Sequence, residues 1–226
     1  MPWDQASKRI KYRLLRHLPG AFGHRYECKH MLWTNGFEDA VRRSNGMTCI
    51  DLGANVGVYT RKMASGTKRV IAFEPDPWTI GKLEANVADL KNVSIEKVAA
   101  GTCERTVLLY RHTRFEQDPV FHSESSSVVA SKNNVTEENT VEVRQIDFIR
   151  YLEDIGEEIG ILKIDIEGAE VDLLEALFDR SDILNRINHI FAETHEGRIP
   201  GHKRRVKALR IRAFRMERPY VNLYWR

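Results

Sequence analysis

Cysteine is scarce in this sequence of 226 residues, which contains Cys28, Cys49 and Cys103. Three widely spaced cysteines without a C-x-x-C pair indicate neither a disulfide framework nor a zinc site, and they favour a reducing compartment. Long apolar runs are also lacking. No stretch approaches the roughly 18 residues of a membrane-spanning helix, and the first residues do not resemble a signal peptide. We therefore expect a cytoplasmic protein.

An overall excess of one charge is lacking too, because 35 Lys/Arg residues stand against 32 Asp/Glu residues. The distribution, however, is uneven. Residues 1–30 hold seven basic and two acidic residues, and residues 202–226 hold nine and one. This asymmetry suggests an anionic partner such as nucleic acid, a lipid surface or an acidic glycan, or else two solvated helical faces.

The basic N-terminal segment has a helical pattern. Four apolar residues recur with helical spacing among basic ones, and Pro19-Gly20 ends the pattern. They are Ile10, Leu14, Leu15 and Leu18. Such a helix could lie on an anionic surface, but four apolar positions favour packing against its own domain. Residues 1–44 are predicted to form an N-terminal helical extension.

Short apolar runs alternate with helical segments from Met47 onward. These runs are rich in Ile and Val, and their nearly continuous hydrophobicity is typical of parallel strands buried on both faces. The predicted strands are Thr48–Leu52, Arg69–Phe73, Val93–Ala99, Gly160–Ile164 and Asn188–Ala192. The sequence therefore predicts a single α/β domain over residues 45–226, built on a Rossmann-like, doubly wound, mostly parallel sheet.

Two segments depart from this alternation. Thr106–Tyr110 and Thr140–Ile146 are predicted as an extra strand pair, and the polar loop between them, residues 113–139, is typical of a lid or a mobile segment.

At the end of the chain, only Tyr220–Trp225 has a strand pattern after an Arg-rich helix. We expect a shortened antiparallel edge here, which either pairs with another subunit or is covered by the N-terminal helix.

The strongest motif is Asp51-Leu52-Gly53-Ala54-Asn55-Val56-Gly57, at the end of the first parallel strand. Glycines permit a sharp turn and close approach of a ligand, and the following helix offers free N–H groups. The spacing does not match the G-x-G-x-x-G dinucleotide pattern, which disfavours NAD. Asp51 could instead accept a hydrogen bond from an ammonium group, which a pyrophosphate does not offer.

A second carboxylate, Glu74, ends the next strand and is placed to accept hydrogen bonds from both hydroxyls of a ribose. Asp51, the glycine turn and Glu74 together describe a site for an adenosine with a charged amino-acid tail. The predicted cofactor is S-adenosylmethionine. The Asp76-Pro77 pair that follows is at least equally suited to starting a helix.

At this point the chain resembles the FkbM-type methyltransferases, within the class I S-adenosylmethionine-dependent fold. The resemblance rests on DLGANVGVYT at 51–60, FEPDP at 73–77 and LKIDIEGAEVDLL at 162–174. It implies O-methylation of a hydroxyl on a sugar, a glycolipid or polysaccharide, or a secondary metabolite. It also implies cofactor contacts by Asp51, Gly53, Asn55, Gly57 and Glu74, with Ala100 beside the adenine.

The candidate catalytic residues follow two other predicted strands. Alternation places Lys163, Asp165 and Glu167 on one side of a buried strand end, which requires a polar cavity or an ion pair. Asp165 is the first candidate for a functional carboxylate, whereas Glu170 is interpreted as a helix cap. His195 is the other candidate base, because imidazole titrates near neutral pH, and Glu193 is its expected orienting group.

Several alternatives stay open. Asp165, Glu193 and His195 would also suit a divalent metal, but no clear ligand spacing is present and we predict no metal. The basic ends leave open an RNA 2′-hydroxyl methyltransferase, peripheral membrane contact or a homo-oligomer. A non-catalytic S-adenosylmethionine-binding module is the alternative from another class. The expected acceptor is a hydroxylated small molecule or glycan.

Overall fold

The structure is a computed structural model that describes residues 2–31, 36–118, 123, 126–132 and 135–225. Residues 119–122, 124, 125, 133 and 134 of the polar loop therefore lie outside the described residues. Three helices precede the first strand: α1 (Pro2–Leu15), α2 (Gly20–Met31) and α3 (Gly36–Arg43). No helix in the described ranges has the length and apolar character needed to cross a membrane.

The central sheet contains six parallel strands in the order β3-β2-β1-β7-β8-β9. Its strands are β1 (Thr48–Leu52), β2 (Arg69–Phe73), β3 (Val93–Glu96), β7 (Ile159–Ile164), β8 (Ile187–Ala192) and β9 (Tyr220–Asn222). The order reverses between β1 and β7, so the carboxyl ends of these strands border the crevice where open α/β sheets bind ligands. The predicted Rossmann-like, doubly wound architecture is confirmed.

Helices cover both faces of this sheet. On one side lie α3, α4 (Val58–Ala64) and α5 (Pro77–Val87); on the other lie α6 (Phe148–Ile155), α7 (Glu170–Phe178), α8 (Ser181–Leu184) and α9 (His202–Arg215). Successive residues of β1 point into opposite cores, Cys49 into one and Ile50 into the other. Burial on both faces explains why the strand sequences are mostly apolar.

A second, three-stranded sheet accounts for the break in the alternation. It contains β4 (Ala99–Gly101), β6 (Val135–Asp147) and β5 (Arg105–His112) in that order. The predicted β5–β6 strand pair is present and is antiparallel, whereas β4 pairs parallel to β6. The predicted third strand Val93–Ala99 is therefore wrong in one respect: the chain leaves the central sheet after Glu96 and joins the second sheet at Ala99.

The predicted antiparallel edge is wrong. β9 pairs parallel with β8, because α9 crosses over the sheet and returns the chain in the same direction. The edge is covered by α2: the Asn222 side chain donates to the carbonyl oxygen of Cys28 at 3.1 Å, and the Cys28 thiol to that of Val221 at 3.9 Å. The predicted alternatives were pairing with another subunit and coverage by the N-terminal helix; the covering element is instead the second helix, α2.

Candidate functional site

A cavity of about 410 Å³ opens at the carboxyl ends of β1, β2, β7 and β8. Its position follows from the topology, since strand order reverses here and leaves a crevice between neighbouring loops. Seven of the residues predicted from the sequence line it: Gly53, Asn55, Glu74, Ala100, Asp165, Glu193 and His195. Asp51 and Gly57 are not part of the wall.

The turn after β1 has an unusual backbone, with positive φ at Gly53 (+73°), Asn55 (+47°) and Gly57 (+89°). Glycine is required at position 53 for a second reason. A Cβ atom there would lie 1.8 Å from the carbonyl oxygen of Asp165, so the end of β7 packs directly against the turn. Gly57 caps α4, whose first turn begins beside the cavity.

Asp51 lies behind the cavity wall and is fully buried. One carboxylate oxygen accepts from Thr60 Oγ1 at 2.6 Å, and the other lies 3.0 Å from Nζ of Lys163. Lys163 also donates to the carbonyl oxygen of Gly53 at 2.7 Å. Asp51 thus holds Lys163 and, through it, the turn after β1, and its contact with the cofactor stays a prediction.

Glu74 ends β2 and faces the cavity. Its Oε2 accepts from the Asn55 backbone N–H at 2.9 Å, and its Oε1 from the Asp76 N–H at 3.0 Å. Burial raises the pKa of Glu74 to about 7, against the lowering effect of these two hydrogen bonds. Each oxygen keeps a second lone pair, so the side chain can still accept from hydroxyl donors. Asp76 caps α5, as predicted.

An apolar wall lies beside Glu74. Ala100 is almost completely buried, and Leu109, from β5 of the second sheet, lies on the same wall. Phe73 and Val98 complete it. A flat aromatic base would bury apolar area against these side chains, with the polar groups of the turn at its edge.

Charged side chains surround His195 at the other end of the cavity. Its Nε2 lies 3.2 Å from Glu167, 3.7 Å from Glu193 and 3.9 Å from Asp165. The ring therefore contacts residues from the ends of two strands. Asp165 and Glu167 lie in the loop after β7, and Glu193 follows β8. The predicted neighbourhood of Asp165, Glu193 and His195 is present in the structure.

The other ring nitrogen of His195 faces a residue that the sequence did not single out for this site. Nδ1 lies 3.0 Å from Oε1 of Glu170, which is fully buried. Glu170 also accepts from the backbone N–H groups of Ile166 and Gly168, at 2.8 to 3.0 Å. Glu170 therefore holds Nδ1 of the imidazole, whereas Glu193, the expected orienting group, lies 3.7 Å from Nε2. No local signal could have joined residues that lie 25 positions apart.

This cluster shifts the proton affinities of its members. Burial opposes the charged imidazole, but hydrogen bonds with Glu167 and Glu170 prevail and raise the pKa of His195 to about 10. Burial raises the pKa of Asp165 to about 7, and the opposing charges of Lys163 and His195 only partly offset it. The pKa of Glu167 is lowered despite its burial, because His195 and Lys132 bond its ionised form. At neutral pH, His195 is an imidazolium and Asp165 is near its titration midpoint.

The described part of the polar loop lies over this end of the cavity. Ser123 donates to the Asn55 side chain at 3.1 Å, and Ser127 donates to the Glu167 carbonyl oxygen at 2.5 Å. The buried ammonium group of Lys132 lies 2.5 Å from the Glu167 carboxylate. Ser126 Oγ lines the cavity region and has no hydrogen-bond partner among the described residues. The described loop residues are therefore hydrogen-bonded to the turn after β1, through Asn55, and to the loop after β7, through Glu167.

Three of these side chains could also hold a metal ion. Donor atoms of Asp165, Glu170 and His195 lie within 4.8 Å of one another. Both oxygens of Glu170, however, already accept backbone N–H groups, and a metal on Nδ1 would displace the bond that fixes the ring. The absence of a metal stays a prediction.

Comparison with known proteins adds a family match. The model of the methyltransferase FkbM domain matches residues 51–216, a segment that begins at Asp51 and includes every residue of the cavity described above. Among curated proteins, Methyltransferase 1 of Beauveria bassiana (strain ARSEF 2860) is 26% identical over 157 residues. That match covers 61% of this chain and 61% of the fungal protein.

Two solved structures are also similar. The methyltransferase FkbM from Methylobacillus flagellatus KT is 14% identical, with a TM-score of 0.39, over 74% of this chain and 44% of the other. The phosphoethanolamine N-methyltransferase 1 of Haemonchus contortus, in complex with phosphoethanolamine and S-adenosylhomocysteine, is 16% identical with a TM-score of 0.23. This second match covers 41% of this chain and 21% of the other.

Proposed function

This chain belongs to the methyltransferase FkbM domain family, and from that premise we propose that it is an S-adenosylmethionine-dependent O-methyltransferase. The proposed acceptor is a hydroxyl on a sugar, a glycolipid or polysaccharide, or a secondary metabolite. One observation carries the proposal: Glu74 with its apolar wall, and the carboxylates around His195, line the same cavity. The first set suits an adenosine, and the second suits a cation and a hydroxyl proton.

The residues of the cavity fit the cofactor. Glu74 would accept from the ribose hydroxyls, and Ala100 and Leu109 would pack against the adenine. Gly53 and Asn55 would line the side of the methionine tail. A cavity of about 410 Å³ lies in the range of roughly 300 to 1,000 Å³ that small-molecule and cofactor sites occupy.

The charge of the cavity supports the same cofactor. Asp165 and Glu193 line the wall together, and their ionised forms would attract a cationic ligand beside them. Bound S-adenosylmethionine supplies an electrophilic methyl group on a positively charged sulfur.

Asp165 is the proposed general base. An alcohol is a poor nucleophile while it is protonated, and a base with a pKa near the working pH removes its proton most effectively. Burial gives the carboxyl of Asp165 a pKa of about 7, and its Oδ1 has no hydrogen-bond partner among the described residues. His195, with a pKa of about 10, is already protonated at neutral pH. Its proposed role is to hold the carboxylates in place.

Transfer of a labelled methyl group tests this function. The purified protein would be incubated with methyl-tritiated S-adenosylmethionine and with glycan, lipid and RNA fractions of a cell extract. We expect label in a hydroxyl-bearing glycan, lipid or small molecule, as a methyl ether that survives mild alkali. Asp165→Asn should reduce transfer by about 10² or more, as loss of a general base does.

A matched control is Asp154→Asn, which changes an exposed aspartate on α6. It should transfer at the wild-type rate. Cofactor binding without label in any hydroxylated acceptor would contradict the proposal and support a non-catalytic binding module. Equal rates for Asp165→Asn and wild type would leave the enzyme class intact but reject Asp165 as the base.

A further inference from the structure

The N-terminal helices carry large apolar side chains that the fold does not bury. Ile10 is 62% exposed, Leu14 68%, Leu18 44% and Phe22 51%. These four residues are called the hairpin surface below. The expectation that this helix packs its apolar positions against the domain is therefore wrong for three of the four predicted residues: Ile10, Leu14 and Leu18. Clustered exposed apolar residues mark interaction sites in folded proteins.

The hairpin surface belongs to one compact unit. Ile10 and Leu14 lie one turn apart on α1 and therefore share a face. Leu18 lies in the tight turn to α2, where a Cβ on Gly23 would lie 1.7 Å from the Leu18 carbonyl oxygen. The Tyr26 ring contacts both Phe22, at 4.9 Å, and Tyr12 of α1, at 5.7 Å. The two helices thus form a hairpin with fixed geometry.

Basic side chains surround the apolar ones. Residues 1–30 hold seven Lys/Arg and two Asp/Glu. Lys11 and Arg13, next in sequence to Ile10 and Leu14, are exposed on α1, and Arg16 is exposed directly after the helix. An apolar face bordered by Lys and Arg is the pattern of helices that lie in the interface of an anionic membrane.

The hairpin is also attached firmly to the rest of the domain. Cys28 of α2 is completely buried against β9, and Asn222 of that strand donates to its carbonyl oxygen. On the neighbouring α9, Phe214 is 38% exposed and its ring lies 5.7 Å from His24 of α2. Basic side chains of α9, Lys207 and Arg215, are exposed as well. Both basic ends of the chain therefore meet at one edge of the sheet.

We propose that the hairpin surface binds a membrane surface that contains anionic lipids. The apolar side chains enter the headgroup boundary, and the surrounding Lys and Arg residues contact lipid phosphates. A second copy of the chain is a poorer occupant, because two surfaces with the same positive charge repel each other. This proposal does not depend on the acceptor, and its test requires no methyl transfer.

Vesicle sedimentation tests the proposal with the whole chain. Vesicles of phosphatidylcholine with phosphatidylglycerol should sediment the protein, whereas vesicles of phosphatidylcholine alone should bind it much more weakly. Raising the salt concentration should weaken binding to the anionic vesicles, because lipid and protein charges are screened.

Two pairs of substitutions separate the apolar and the charged contributions. Ile10→Ser with Leu14→Ser should lower partitioning roughly tenfold or more, since two apolar side chains no longer enter the interface. Lys11→Gln and Arg13→Gln should each lower it roughly fivefold. Leu108→Ser is the matched control, because Leu108 is 41% exposed on β5, outside the hairpin, and its loss should change nothing.

Two results would overturn the proposal. One is equal sedimentation of the wild type and the Ile10→Ser/Leu14→Ser variant on anionic vesicles, with native circular dichroism for both. The other is a dimer by light scattering that this variant converts to a monomer, which would assign the surface to a second copy.

Discussion

Nδ1 of His195 lies 3.0 Å from a carboxylate oxygen of Glu170, and this contact joins the end of β8 to the start of α7. Glu170 is held in turn by the backbone N–H groups of Ile166 and Gly168. A buried carboxylate with these donors is fixed in position. The ring beside the cavity therefore has one orientation, with Nε2 directed at Glu167.

Neutralising Glu170 should lower the pKa of His195. In Glu170→Gln the ring loses one of the two hydrogen-bonded anions that raise its pKa to about 10. The amide also leaves one backbone N–H poorly satisfied, so the free energy of unfolding should fall by about 1 to 3 kcal/mol. NMR titration of the imidazole measures the first effect, and urea unfolding measures the second. Glu193→Gln, which alters a carboxylate 3.7 Å from Nε2, should produce a smaller shift. An unchanged His195 titration in Glu170→Gln would contradict this account.

The rate of methyl transfer should rise as the pH rises through about 7. Asp165 must be ionised to accept a proton, and burial raises its pKa from 3.8 to about 7. The contribution of this group to stability has the opposite sign. The native state holds the proton that the unfolded chain has lost between about pH 4 and 7, so this contribution falls as the pH rises through that window. Single-turnover rates of methyl transfer, measured below and above pH 7, test the predicted rise in rate. A rate that does not change with pH would reject Asp165 as the base.

Removal of Lys163 should destabilise the fold strongly. Lys163→Met leaves the fully buried Asp51 without its cation, a change that costs about 3 to 5 kcal/mol in other buried ion pairs. The double variant Asp51→Asn/Lys163→Met should recover part of this loss, because no unpaired charge remains. Urea unfolding measures both. Arg180→Gln, which breaks ion pairs at the surface, should leave the midpoint nearly unchanged. Equal midpoints for Lys163→Met and Arg180→Gln would contradict the assignment of Lys163 as a structural cation.

Substitution of two glycines compares the cost of backbone strain with the cost of close packing. Gly46 and Gly53 have similar positive φ, +77° and +73°, but nothing lies within 4 Å of a Cβ added to Gly46. Gly46→Ala should therefore cost the strain alone, about 1 to 2 kcal/mol. Gly53→Ala should cost ~3 kcal/mol or more, because the added carbon also overlaps the Asp165 carbonyl oxygen. Thermal unfolding compares the two, and equal losses would show that the turn can move away from β7.

The sheet was predictable where burial alone determines the sequence. β1 and β2 have the predicted bounds, since a strand covered on both faces is apolar at most of its positions. Strand direction was not predictable at Tyr220–Asn222, because the same residues suit parallel and antiparallel pairing. The same limit applies to Ala99–Gly101, which pairs with a strand about 45 residues further along the chain rather than with its neighbours in sequence.

The sequence identified many residues of the candidate site, but it did not predict which side chains contact each other. Strand ends and glycine spacing identified Glu74, Asp165 and His195, and the structure places all three on one cavity. Local patterns carry no information about which carboxylate meets which nitrogen. Glu170 therefore had the signature of a helix cap, and no local pattern paired Asp51 with Lys163. Their actual partners come from strands and loops that only the folded chain brings together.

Titration calorimetry with S-adenosylmethionine tests the central claim most directly. Wild-type protein should bind one equivalent, and Glu74→Ala should bind it about tenfold more weakly or worse, because the carboxyl acceptor for the ribose hydroxyls is lost. Glu84→Ala removes an exposed glutamate from α5 and should bind like the wild type. Absence of binding to the wild-type protein, or equal affinity for a natively folded Glu74→Ala variant, would contradict the assignment of this cavity as the cofactor site.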